Sequence, residues 1–127
     1  MPERIGYAGS VAVVDGPTIN FNSELQVGEY EKHTITVAPA GGKGTISLGS
    51  TADIQLIAVV SSLYNKDLTF TADPDKTDCP FNQPLVMAGG MFGIVDIAKV
   101  TAFTFTNKIP GSPAPDVTIS VLIARTA

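Results

Sequence analysis

The chain has one histidine, one cysteine and no tryptophan in 127 residues. Each shortage removes a class of chemistry. A zinc site needs several His or Cys ligands, and His33 and Cys79 are the whole supply. Ser-His-Asp and Cys-His mechanisms need a base held against a nucleophile and oriented by a third group, so each would have to pass through His33. That residue sits in Tyr30-Glu31-Lys32-His33-Thr34-Ile35, on the face shared with Ile35 and Val37, where a satisfied or rim position is the expected role. The chain also lacks a Gly-x-Ser-x-Gly elbow to present a nucleophile. A single cysteine makes no intrachain disulfide, so stability must come from the core.

Charge is scarce too. Asp, Glu, Lys and Arg make up 16% of the chain, against about 25% in ordinary soluble domains. An uncharged surface of this kind favours cover by a partner or by copies of the chain itself. The net charge is −4, and the eight Lys and Arg residues are scattered from Arg4 to Arg125. Nucleic-acid binding calls for a basic stripe that displaces counterions, so nucleic acid is not an expected partner. The longest apolar stretch, Ile54 to Val60, is broken by Gln55 and is far too short to span a membrane. Met1-Pro2-Glu3-Arg4 lacks the basic, apolar, small-residue order of a signal peptide. The expectation is a chain made in the cytoplasm without one, and with no membrane partner.

What the sequence does contain is β-pattern. Thr34 to Val37, Gly44 to Leu48, Leu68 to Thr71, Lys99 to Asn107 and Val117 to Ile123 alternate apolar and polar residues, the period of half-buried strands. Asp53 to Val60 is apolar on both faces, as a strand covered on two sides would be. Val11 to Val14 and Leu25 to Gly28 are weaker strand candidates. Asp15-Gly16-Pro17, Pro39 to Gly42, Tyr64 to Asp67 and Pro110 to Pro113 supply the turns between them. Leu85 to Ile97 reads as bent strand and loop, with room for a short helix, because Gly89, Gly90 and Gly93 weaken a long one. The fold expected is one all-β domain over residues 1–127: a single antiparallel β-sandwich, jelly-roll-like, of about seven to nine strands.

Three motifs invite a chemical reading. Asp73, Asp75 and Asp78 share one loop, and hard oxygens on alternate residues suit calcium. Asp78 stands where an EF-hand needs Gly and Pro84 where it needs Glu, which leaves an irregular site or a solvated acidic loop. Gly41-Gly42-Lys43-Gly44-Thr45 has Gly44 between the lysine and the threonine, and Val37 in place of the first glycine, so it reads as a hairpin loop and not a phosphate loop. Paired carboxylates for glycoside hydrolysis meet in space rather than in sequence; with three Tyr and no Trp, few rings are present to stack on a sugar. No enzyme activity and no cofactor is expected.

Residues 1–10 are polar and Gly-containing, and read as an extended N-terminal arm that orders on binding. Tyr7 in that arm, together with Met87, Met91 and Phe92 in an apolar flexible patch, are the candidate assembly contacts. Buried filler is the plainer role for the methionines. Two irregular stretches, Ala72 to Pro84 and Asn107 to Asp116, either carry recognition or simply connect sheets.

Lys99-Val-Thr-Ala-Phe-Thr-Phe-Thr-Asn107, a Pro/Gly/Ser loop, and Asp116-Val-Thr-Ile-Ser-Val-Leu-Ile123 resemble the closing strand pair of small β-sandwich proteins on tailed-phage particles. The low charge and the Gly/Thr/Ala-rich composition are similar to those of virion components. The resemblance covers about a quarter of the chain and transfers no residue-level function. It implies a capsid decoration or cement protein, often a homotrimer, bound to a major capsid or other shell protein in the virion. The alternatives are a tail, baseplate or fibre-associated adaptor, and a soluble sugar- or peptide-recognition module.

Overall fold

A computed structural model of the chain describes residues 3–49, 53–89, 92 and 97–126. Within them lie ten strands: β1 (Glu3–Ala12), β2 (Thr18–Val27), β3 (Glu29–Val37), β4 (Gly42–Ser47), β5 (Ile54–Ser61), β6 (Asn65–Asp73), β7 (Cys79–Phe81), β8 (Leu85–Ala88), β9 (Ala102–Asn107) and β10 (Val117–Arg125). A 3-10 turn at Ile97–Lys99 precedes β9. Strands β1 and β2 form a hairpin of their own; the other eight make two antiparallel four-stranded sheets.

The first sheet has the order β3-β10-β5-β8 and the second β4-β9-β6-β7. From β3 to β6 the chain changes sheet at every step; β6 and β7 are neighbours, and from β7 to β10 it changes sheet at every step again. This is the strand order of an eight-stranded jelly roll. The fold is an all-β antiparallel sandwich, as the alternating pattern leads one to expect.

Packing between the sheets is unequal in kind. The first sheet turns aliphatic side chains inward: Val37, Ile57, Val59, Val117, Ile119, Val121 and Ile123 are buried together with Met87. β-Branched residues fill such a pleated, half-buried surface well. Opposite them, the second sheet offers phenylalanines. Phe70 meets Phe81 and Phe103 edge-to-face at centroid distances of 5.8 and 6.0 Å, and Tyr64 meets Phe81 the same way at 5.5 Å. These are the T-shaped geometries that the ring quadrupole favours.

Two buried polar residues close the seams. Asn107 is fully buried at the end of β9; its Nδ2 donates to the carbonyls of Val37 at 3.2 Å and Pro115 at 2.8 Å, and its Oδ1 accepts from the Ile109 N–H at 3.1 Å. One side chain thereby ties β3 to the loop between β9 and β10. Arg125, at the end of β10 where the register shifts, donates from Nη1 to Glu31 Oε1 at 2.7 Å and from Nη2 to the Leu48 carbonyl. It bridges strand β3 of one sheet to the residue that follows β4 of the other.

Several sequence expectations change in detail. The Gly41-Gly42-Lys43 turn does not close a hairpin, because β3 pairs with β10 while β4 pairs with β9. It is a corner between sheets, with Ala40 and Gly41 at φ 60° and 85° and the Gly41 N–H donating to the Asn107 carbonyl at 2.8 Å. Lys99 to Asn107 and Val117 to Ile123 likewise do not pair with one another; β9 and β10 are the inner strands of opposite sheets. Lys99 belongs to the 3-10 turn and not to the strand. Of Leu85 to Ile97, only Leu85–Ala88 is assigned to a strand among the described residues. Of the first ten residues, read as an extended arm, residues 3–10 belong to β1, which is paired with β2 along its whole length from Glu3↔Val27 to Ala12↔Thr18.

Candidate assembly surface

The β1–β2 hairpin is ten residues long on each side. At about 3.3 Å per residue, such a ribbon reaches about 33 Å. The register pairs odd residues with odd residues, so one face carries Ile5, Tyr7, Gly9 and Val11 beside Ile19, Phe21, Ser23, Leu25 and Val27. The other face carries Arg4, Ser10, Thr18, Asn20, Asn22, Glu24 and Gln26 with small residues between them. The ribbon is therefore amphipathic. At its tip the Val13 N–H donates to the Pro17 carbonyl at 2.9 Å, and Asp15 takes the left-handed conformation at φ 59° that Asp tolerates.

Only the base of the hairpin is covered by its own chain. Ile5, Tyr7 and Leu25 pack around a small buried cluster of Val27, Leu56 and Ala124, with Ala58, Ala88 and Leu122 at its margin. The Gly28 N–H fixes this root to the Arg125 carbonyl at 2.8 Å. Further out the same apolar face continues without cover: Phe21 is 47% exposed, Val11 66% and Ile19 69%. Phe21 lies opposite Gly9, and its ring occupies the space a Cβ there would need; that atom would stand 2.6 Å from Cζ. An aromatic ring laid over a glycine in this way shields the bare backbone beneath it.

The surface receiving the base is the outer face of the first sheet. Its registers align residues in rows across the strands. Tyr30, Ala124, Leu56 and Ala88 form one row, and Lys32, Leu122, Ala58 and Val86 the next. Thr34, Ser120 and Val60 form the third. The hairpin base buries the middle of the first row, which explains why β5 is apolar on both faces. Beyond it Val60 remains 47% exposed and Val86 52%. Between the second and third rows lies an open depression of about 320 Å³ lined by Lys32, Ala58, Val60, Ser120, Val121 and Leu122. Comparison with protein-family models, curated proteins and solved structures finds no match to this chain.

The four candidate contacts fall in different places. Tyr7 is half-buried at the hairpin base. Met87 is buried in the core, and Phe92 packs half-buried against that core. Met91 lies outside the described residues. Of the three described, Met87 and Phe92 belong to the core between the sheets and Tyr7 to the hairpin base. The large apolar side chains exposed among the described residues include Val11, Val13, Val14, Ile19 and Phe21 on the ribbon and its tip, Tyr30, Val60 and Val86 on the sheet, and Leu63 and Tyr64 in the turn after β5. A signal for the ribbon was present in the alternation of Ile19, Phe21, Leu25 and Val27 after the Asp15-Gly16-Pro17 turn. Ser23, at the position where an apolar residue would continue the pattern, interrupts it.

The acidic loop has its own internal partners. Asp73 Oδ2 accepts from Thr104 Oγ1 at 2.5 Å, while Oδ1 accepts from Thr71 Oγ1 at 2.9 Å and from Lys76 Nζ at 3.2 Å. The Thr104 bond above all holds this carboxyl below the usual carboxylate range, against a desolvation that pushes it up. Asp75 Oδ1 accepts from the Thr77 N–H at 2.9 Å, which lowers it as well. Among the described residues no three His, Cys, Asp or Glu side chains converge as a metal site would require. His33 lies half-buried in the middle of β3, its Nε2 3.4 Å from Glu31 Oε2. Glu31 is held below its ordinary range, chiefly by the hydrogen bond from Arg125.

Proposed function

We propose that the chain is a non-enzymatic structural protein of a virion, a decoration or cement protein that binds and reinforces a protein shell as a ring of three copies. The observation carrying this reading is the hairpin. Its apolar face extends past the sandwich that secures its base, and Val11, Ile19 and Phe21 find no cover among the described residues. A two-stranded ribbon is at best marginally stable alone in water, so an arm of this length is best suited to being completed by neighbouring subunits. A rigid jelly-roll body with a reaching arm is what a lattice-bound component needs, and many weak contacts repeated over a shell add up through effective concentration. The low charge of the chain fits extensive cover. Fold alone would not carry the reading, since jelly rolls serve many purposes.

The test is sedimentation of particles of the virus that encodes the chain. The chain is expected to travel with the shells at a fixed copy number, and shells lacking it are expected to release their contents at lower temperature. A chain that stays at the top of the gradient while shells sediment without it would overturn the reading. Density on the tail instead of the shell would favour an adaptor.

A further inference from the structure

We infer that the outer half of the β1–β2 hairpin docks on a second copy of this chain, across the uncovered rows on the outer face of the β3-β10-β5-β8 sheet. The occupant follows from what that face already does. The first row, Tyr30–Ala124–Leu56–Ala88, is covered by the base of an amphipathic hairpin bearing Ile5, Tyr7, Leu25 and Val27. Beyond it Leu122 and Ala58 are only partly covered, and Lys32 and Val86 at the ends of that row, with Thr34 and Val60 of the row after it, stay exposed. The hairpin's outer face, Val11 and Ile19 with Phe21 over Gly9, repeats the chemistry of its base. One chain thus carries both halves of a contact that it has already made once, in a continuous interface.

Charge agrees with this. From residue 5 to residue 23 the hairpin has a single charged residue, Asp15 at its tip. Lys32 is the one charged residue lining the depression between the open rows, among the described residues. The tip carboxylate of Asp15 and the Lys32 ammonium of the acceptor face are of opposite sign. The arm leaves its own sheet open, since Val60 and Val86 stay exposed in the same chain as Val11, Ile19 and Phe21. Arm and acceptor are different surfaces, so the contact is heterologous and closes either reciprocally or as a ring.

The experiment uses the purified chain without any shell, so its outcome is independent of the proposed virion role. Molar mass is measured by light scattering from micromolar to millimolar concentration for the natural chain, for Ile19→Asp on the arm and for Val60→Lys on the acceptor. Val86→Lys, on the edge strand β8, serves as a second acceptor variant, and circular dichroism checks that each variant is folded. The natural chain is expected to reach a closed oligomer of 13.2 kDa units, three in the favoured ring, and each variant to be monomeric. Mixing the arm variant with an acceptor variant should restore one contact and give a 1:1 dimer, since the intact arm of one meets the intact sheet of the other. A monomeric natural chain, an oligomer that persists in folded arm or acceptor variants, or a mixture that stays monomeric would each overturn the inference.

Discussion

The ring of Phe21 lies across the backbone of Gly9, on the opposite strand of the hairpin, where any side chain at position 9 would collide with it. The ring is half-exposed and free to swing outward. Gly9→Ala is therefore expected to cost under about 1 kcal/mol of folding stability while removing Phe21 from the apolar face. In the natural chain the Gly9 α-protons should be shifted upfield by the ring above them. Proton NMR checks this: the shift should vanish in Phe21→Leu and shrink in Gly9→Ala, with melting temperature little changed.

The hairpin outside its base has no packing to protect its ladder. Amides of residues 8–22 in dilute, monomeric chain are expected to exchange with solvent far faster than those of β9 and β10, because local opening there needs only the ribbon to fray. Hydrogen exchange read by mass spectrometry tests this. Protection rising with concentration would follow if copies dock as inferred, whereas slow exchange at high dilution would show that the ribbon is stable alone.

Asn107 satisfies three backbone groups at once in a fully buried position. Replacing it with Leu keeps the volume but leaves two carbonyls and one N–H without partners. The expected loss is about 2–4 kcal/mol, to be measured by urea unfolding. The β9–β10 loop should become the first site of proteolytic cleavage.

Asp73 gives the fold an acid limit. Its carboxyl titrates lower in the folded chain than in the unfolded one, chiefly because of Thr104. The unfolded state therefore takes up the proton first as pH falls, and stability present above the ordinary carboxylate range, about pH 4, is lost as pH drops through the folded value. Asp73→Asn is expected to cost about 1–2 kcal/mol at pH 7. Urea midpoints of the two chains should then converge as pH falls below about 4. A gap that stays constant with pH would assign the loss to packing rather than charge.

How much of this was legible in sequence depended on where each residue's partner lay. Ile119, Val121 and Ile123 announced β10 because burial on one side is written locally as alternation. The two-faced apolarity of β5 was readable as double cover, although not that the cover would come from the β1–β2 hairpin, some thirty residues earlier in the chain. Sheet membership was not readable: Gly41 and Gly42 look alike whether a turn closes a hairpin or crosses between sheets, and the choice is made by β9 and β10, far along the chain. For the surface, Met87 is buried, as the plainer of its two readings had it, while Val11, Ile19 and Phe21 are exposed. A buried Met and an exposed one have the same letter, and only packing separates them.

One inner strand of each sheet, β9 in one and β10 in the other, belongs to the last two strands of the described chain. While the chain is being synthesised, β3 and β4 wait with no neighbour to pair with, and within the two four-stranded sheets only β5 with β8 and β6 with β7 can form ladders. The sandwich closes in one late step, when residues 102–125 slot between strands made long before. Contacts this distant in sequence place folding among the slow, millisecond-to-second β-topologies. Until that step, unpaired edges are open to the wrong partner. Growth temperature and chaperone supply should therefore decide the yield of this protein more than the stability of the finished fold does.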